Sequence, residues 1–379
     1  MIYLDHNATT PLAAEALEAM QPYLDRFHGN PSSIHAAGRE TRAALDDSRD
    51  RMAMILGCRS HEIIFTGGGT EADNLAILGL ARANEPRGKH LVTCATEHHA
   101  VLHPFEQLQR REGFRLTVLG VDSRGLLDPA AVRASLTPGT TLVSVMTANN
   151  ETGVRQPTSE IAAICREKGV IFHTDAIQSF GKEKLALNAD ALSLAAHKFY
   201  GPKGAGLLYV RGGLPIERIV FGGSHESERR PGTENVAAVA GMARAAKLAL
   251  DGLEVEAARQ LQLRERLWEG IRAAFPTAQR NSDPSLSLPN TLNASFPGLD
   301  GESLLINLDL AGICASSGTA CMVGSIQPSH VLLAMGAARD VAQATVRFSL
   351  GKTTTSPEIE DAITRMKGIF ERLASETSP

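Results

Sequence analysis

Between residues 60 and 210, apolar segments rich in β-favouring residues alternate with helix-like stretches, and this alternation restricts the fold more than any other feature. EIIF at 62–65, HLVTCA at 90–95, TTLVSVM at 140–146 and VIFHTD at 170–175 read as strands, and ALSLAA and GAGLLYV extend the series. Strands separated by helices pair in parallel through crossovers, so an α/β domain with a mainly parallel sheet is expected. Pro157 opens and Gly169 closes a helix over SEIAAICREK, and Pro11 after Thr10 starts another. From about Asn235 to Phe275 an alanine- and leucine-rich stretch reads as a long helical connector. Beyond it NTLNASF, ESLLINLDL, ICASS, TVRFSLG and an amphipathic helix from about Pro357 describe a smaller α+β unit. The expected division is a large domain over 15–255 and a small one made of 1–14 with 256–379.

Composition narrows the ligand. A formal net charge of -4, with no basic cluster interleaved with aromatics, argues against nucleic acid. The start, MIYLDHNATT, lacks a signal peptide's cationic end and apolar core, and no apolar run is long enough to span a bilayer, so a cytoplasmic protein is expected. The five cysteines are odd in number, scattered and without the CxxC spacing of zinc or thioredoxin-like sites, which argues against a disulfide framework. Cys58, Cys94 and Cys165 lie in apolar segments and read as core residues. Cys321 lies in the polar, glycine-bearing SSGTACMVGS and reads as the reactive thiol.

Ligands of open α/β sheets bind outside the carboxyl ends of the strands, and here those ends carry the chemistry. EIIFTGGGTEADN passes through three glycines into a helix near Thr70, a tight turn that also suits a single phosphate. It is neither a GxGxxG nor a GxxxxGK sequence, which disfavours dinucleotides and nucleoside triphosphates. TCATEHHAV puts His98 and His99 at the mouth of the sheet, where an imidazole can stack on a flat ring or move a proton; no converging set of ligands points to a metal. Asn149 and Asn150 in ANNETG either shape a turn or donate to a ligand oxygen. Asp175 closes a largely apolar strand and needs a partner. Lys198 ends ADALSLAAHK just before FYGPKG; burial there would push its amine toward the neutral, nucleophilic form of Schiff-base chemistry, the alternative being a surface lysine snorkelling to water.

One ligand accounts for all of these groups: a ring with a pyridine nitrogen, a phenolic oxygen, an aldehyde and a phosphate, which is pyridoxal phosphate. Asp175 would keep the ring nitrogen protonated, Lys198 would hold the aldehyde, and Thr70 would take the phosphate. Gln178, three residues past Asp175, would reach the phenolic oxygen.

With these residues in place, the chain resembles the cysteine desulfurases of the NifS and IscS kind, within the class V aminotransferase fold. YLDHNATTP, NPSSIH, GGTEADN, TEHHAV, NNETG, HTDAIQS, AHKFYGPKG, RPGTEN, SSGTAC and RFSLG all fall in family order. The resemblance implies a PLP-transferase-like large domain of the aspartate aminotransferase type I kind, and a homodimer. It implies that Lys198 binds the cofactor and removes the substrate Cα proton, and that His98 stacks on the ring and carries protons. Asp175 would pair with the ring nitrogen, and Asn150 and Gln178 with the phenolic oxygen. Gly69, Thr70 and His197 would hold the phosphate, with Thr233 of RPGTEN reaching in from the other subunit. Arg347 and Asn150 would bind the carboxylate of L-cysteine. Cys321 would take the substrate sulfur as a persulfide, leaving alanine, for delivery to an acceptor such as an iron-sulfur scaffold protein. Selenocysteine lyase, or another class V activity, is the alternative. Two positions depart from the family's pattern: Ala195 replaces a common phosphate-binding serine, and Pro231 stands for the serine of RSGT. The first predicts weaker retention of the cofactor.

Overall fold

The computed structural model describes residues 1–317 and 328–376. In chain order its strands are β1 (Ile2–Tyr3), β2 (Ile63–Thr66), β3 (His90–Cys94), β4 (Arg115–Leu119), β5 (Thr140–Ser144), β6 (Ile171–Asp175), β7 (Ala191–Ala195), β8 (Gly206–Val210), β9 (Gln279–Arg280), β10 (Thr291–Ser295), β11 (Ile313–Cys314) and β12 (Thr345–Ser349). Seven of them form one sheet in the order β2-β8-β7-β6-β5-β3-β4. Only β8 runs against its neighbours. Because β2 is antiparallel to β8, and β8 to β7, β2 points the same way as the other five. Six carboxyl ends therefore emerge along one edge.

Every residue of β2, β3, β5, β6, β7 and β8 is buried, as near-continuous apolar strands covered on both faces must be. One face packs Leu45, Met52, Phe65, Phe180, Leu194 and Met242 together; the other packs Leu75, Ile77, Leu91, Phe105 and Leu108. The edge strand β4, RLTVL, was not singled out in the sequence. Two of its five residues are exposed and none is buried, so it carries little of the apolar signal that marks its neighbours.

A second sheet, β12-β10-β9, is antiparallel, and its core gathers Leu292, Phe296, Phe348 and Phe370. The chain's start joins it: β1 pairs with β11, and Ile2 and Leu4 enter the same core. The stretch read as one connector is two helices, Val236–Leu250 and Leu253–Ala274. Gly252, at φ 77°, takes a left-handed turn that glycine adopts without a Cβ penalty. That break lets the first helix bury Met242 and Ala246 on the large sheet while the second buries Leu267 and Ile271 in the other core. The expected division at 255–256 falls within this second helix. The helix expected from Pro11 begins at Ala14. No helix among the described residues is long and apolar enough to cross a membrane.

Candidate active site

At the shared carboxyl edge of the large sheet lies a cavity of about 430 Å³. It is lined by Gly69, Thr70, His98, Asn150, Asp175, Gln178, His197 and Lys198 from the loops after the strands, and by Arg347 from β12. Asn7 and Ala8 of the N-terminal segment close it. Nine residues expected from widely separated stretches of sequence thus face one space. Thr233 does not line it and lies exposed in the segment before the helix Val236–Leu250. Cys321 lies outside the described residues.

The glycine turn after β2 is built for close approach. Gly68 has φ 156°, a conformation L residues rarely adopt, and a Cβ on Gly206 of β8 would come within 2.5 Å of the Gly68 carbonyl carbon. A Cβ on Gly69 would meet Ile177 Cδ1 at 2.3 Å. The helix Gly69–Asn74 starts here and continues through a π turn to Ala83, so that Gly69 and Thr70 of its first turn, where backbone amides lack intrahelical partners, line the cavity. An adjoining cleft of about 660 Å³ shares Gly69, Thr70 and His197 and adds Thr9 and Lys203. Amides, hydroxyls and a cation make this end suitable for an anion.

His98 caps the helix His99–Glu112: its Nδ1 accepts the Ala100 N–H at 3.1 Å, which leaves the proton of the neutral ring on Nε2. Burial, helped by His99 and Lys198, lowers its pKa to about 4, so the ring is neutral near pH 7. His99 instead stacks between His103 and His330, each with centroids 4.7 Å away. The two asparagines of ANNETG divide the roles open to them. Asn149 shapes the turn, its Oδ1 accepting the amides of Glu151 and Thr152 at 2.9 Å, while Asn150 lines the cavity.

Asp175 is buried at the end of β6 and accepts the Ile177 N–H at 2.8 Å. Burial raises its pKa to about 6 against the opposing pull of that amide and of Lys198. Asp73, on the glycine-turn helix, also lines the cavity and is fully buried. Among the described residues neither of its oxygens has a hydrogen-bond partner. His173 Nε2 stands 3.7 Å away but is bonded to Ser193 Oγ at 3.0 Å, and burial holds that imidazole neutral, with its pKa at about 3. Burial and the charge of Asp175 push Asp73 far above the carboxylate range; the Ser193 hydroxyl offsets part of the rise without reaching hydrogen-bond geometry.

Lys198 sits in a single 3-10 turn after β7 and donates from Nζ to the carbonyls of Asn7 at 2.6 Å and Ala8 at 2.8 Å. Burial, with repulsion from Arg347, lowers its pKa to about 8 despite Asp175 and Asp5. Half-buried rather than snorkelling, it has the environment of a nucleophilic amine. Arg347 donates to Asp5 Oδ1 at 2.8 Å and to the Asn150 carbonyl at 3.0 Å, and its Nε has no partner among the described residues. The thiols of Cys58, Cys94 and Cys165 are pushed by burial to about 11, 11 and 12, which keeps them protonated packing groups.

Three residues at the site escaped the sequence reading: Asn7, Asp73 and Lys182. Asn7 stands inside YLDHNATTP and Asp73 inside GGTEADN, so their motifs were visible while their side-chain roles were not. Lys182 in SFGKEK carried no signal beyond lying four residues after Gln178.

The class-V aminotransferase family model matches residues 2–361. Cysteine desulfurase IscS of Dictyoglomus turgidum is 44% identical over 375 residues, which cover 98% of this chain and 95% of that protein. The IscS of Methanosarcina thermophila is 42% identical, covering 98% and 92%. Among solved structures, a NifS-like protein superposes with a TM-score of 0.92 at 35% identity, covering 98% of this chain and 100% of the other. SspA in complex with cysteine gives 0.81 at 33%, covering 92% and 99%. With a match that spans nearly all of its length, the chain belongs to the class-V aminotransferase family.

Proposed function

We infer that this protein is a pyridoxal-phosphate-dependent cysteine desulfurase, which converts L-cysteine to L-alanine and passes the sulfur to an acceptor. The observation that carries the reading is the convergence of Lys198, Asp175, His98 and the Gly69–Thr70 turn on one cavity, in a chain so similar to cysteine desulfurases. The cofactor fits on physical grounds. Asp175 is a buried carboxylate whose raised pKa asks for a cationic partner such as a protonated ring nitrogen, and the glycine turn offers amides at the right end for a phosphate. Once bound, pyridoxal phosphate supplies an electron sink for the substrate Cα electrons.

The protein's own groups supply the rest. Lys198, with a pKa near 8, would hold the cofactor aldehyde, and its amine is the base placed to take the substrate Cα proton. Gly69, Thr70 and His197 would hold the phosphate, and Asn150 and Gln178 would serve the phenolic oxygen. His98, neutral with its proton on Nε2, would stack on the ring and carry a proton between substrate and solvent. Arg347, already oriented by Asp5 and the Asn150 carbonyl, receives the substrate carboxylate together with Asn150. The thiolate of Cys321 attacks the substrate sulfur, and the Cβ–S bond breaks with its electrons left on carbon. Protonation there yields alanine, and Cys321 carries a persulfide for an acceptor such as an iron-sulfur scaffold protein.

The working unit is read as a cytoplasmic homodimer. Val220 and Phe221, the latter 77% exposed, lie on the same chain segment as Thr233, a surface for a second copy to cover so that Thr233 reaches the partner's phosphate end. Purified protein supplied with pyridoxal phosphate, L-cysteine and a thiol reductant is expected to release alanine and sulfide in equal amounts. Alanine formation with no sulfide, or neither product, removes the reading. Restoration of activity on mixing inactive Lys198 and Thr233 variants tests the shared site.

A further inference from the structure

Behind the cavity wall, one layer from the cofactor space, a second lysine carries an unusual set of contacts. Lys182 follows Gln178 by one turn after β6, and its Nζ donates to Gln178 Oε1 at 2.9 Å and to Asn7 Oδ1 at 3.2 Å. A buried ammonium normally pairs with a carboxylate, since removing it from water is costly otherwise. Here the bonded partners are two amide oxygens, and burial with repulsion from Lys198 and Arg347 weakens its hold on the proton. Such an arrangement needs a reason beyond packing.

The reason lies in what those two oxygens belong to. With Oε1 of Gln178 held by Lys182, the carboxamide cannot turn over, and its nitrogen faces the Asn7 carbonyl at 3.1 Å with one N–H still to give. Asn7 is held in turn: its Oδ1 takes Lys182 and Asn290, its Nδ2 donates to Thr291 and to the Asn150 carbonyl, and its own carbonyl receives Lys198 at 2.6 Å. One ammonium thus fixes the two groups that set the direction of Gln178 and the seat of Lys198. The stem of Lys182 lines a separate groove beside the helix Leu253–Ala274, so its amine enters the site's network from outside.

We propose that Lys182 is a positioning residue that orients the Gln178 carboxamide nitrogen toward the phenolic oxygen of the cofactor, by holding Gln178 Oε1 directly and by fixing the Asn7 whose carbonyl that nitrogen faces, a role that rests on the reading of the cavity as a pyridoxal-phosphate site. Lys182→Met keeps the stem and deletes the donors. Pyridoxal phosphate binding to the apoproteins, followed by fluorescence, is expected to weaken roughly tenfold, with a displaced visible absorption maximum for the bound cofactor. The decisive comparison is the double variant. If Lys182 acts through Gln178, then Lys182→Met in a Gln178→Ala background costs less than about twofold further. Fully multiplying losses, or an unchanged affinity and spectrum in the single variant, overturn the proposal. Should Lys182→Met fail to fold by circular dichroism, Lys182→Gln carries the same comparison. Unmodified protein that does not bind pyridoxal phosphate overturns the site reading as well, whereas tight binding by both it and Lys182→Met defeats only the role of Lys182.

Discussion

The titratable groups in and behind the cavity form two sets that burial treats in opposite ways. Asp175, Asp73 and Glu97 are carboxyls pushed upward, whereas Lys198 and Lys182 are amines pushed downward. The sets also differ in how they are satisfied. The cationic one, with Arg347, is held by the carbonyls of Asn7, Ala8 and Asn150 and the side chains of Asn7, Gln178 and Asp5. In the acidic one both oxygens of Asp73 and Oε2 of Glu97 lack partners among the described residues. The cationic side therefore fixes geometry, while on the acidic side burial and the lack of donors favour the protonated forms of Asp73 and Glu97. At about 6 for Asp175 and about 8 for Lys198, the carboxyl is mainly ionised near neutral pH and the amine lies within reach of its neutral form.

The largest effect is expected where the cationic set holds its nucleophile. Lys198→Ala should lower alanine formation from L-cysteine by roughly a thousandfold or more and abolish the cofactor's yellow colour. A variant that keeps a sizeable share of the rate would show that the proton is taken elsewhere. On the acidic side, Asp175→Asn preserves shape and removes charge. Turnover is expected to fall on the order of a hundredfold with the cofactor still bound, because a preorganised charge facing the ring nitrogen is lost. Unchanged turnover would mean that the electron sink needs no carboxylate.

One member of each set, Asp175 and Lys198, was legible in sequence, whereas Asp73, Glu97 and Lys182 were not. Asp175 and Lys198 each end an apolar strand, a position where a charged side chain stands out against its neighbours. The helix start at Gly69 was announced by three glycines. Asn7 and Lys182 were not, because they act through contacts spanning 175 residues for Lys182 to Asn7 and 283 for Asn290 to Asn7, which no local pattern reports. Strand β4 and the break at Gly252 were missed for the opposite reason: their local signals exist but are weaker than those of the runs around them.

Asp73 tests whether a buried carboxyl short of donors keeps its proton, through stability instead of rate. A carboxyl whose pKa is raised in the folded state binds more protons there than when unfolded. Stability then falls as pH rises from the unfolded value of about 3.9 toward the folded one. Asp73→Asn removes that penalty at the cost of no known hydrogen bond. The apo variant is expected to melt at or above the unmodified protein at pH 7, by up to about 1–2 kcal/mol in stability, with the gap closing as pH falls toward 4. A variant much less stable at pH 7 would mean that the carboxylate is ionised and paired.

The smallest effect is expected at Ala195, and it asks whether donors limit the phosphate end. Ala195 ends β7, is buried, and lines the cavity so near the glycine turn that a Cβ on Gly69 would lie 3.2 Å from its own. A serine there adds a hydroxyl that has no obvious acceptor in the apoprotein, which costs a little stability, and gains one when phosphate arrives. Ala195→Ser should therefore bind pyridoxal phosphate about threefold more tightly while melting slightly lower without it. Equal affinity would instead show that the amides of the turn, Thr70, His197 and Lys203 already saturate the phosphate. The anion end would then be as well supplied with partners as Lys198 and Lys182, and the shortage of donors at the site would rest, among the described residues, with Asp73 and Glu97.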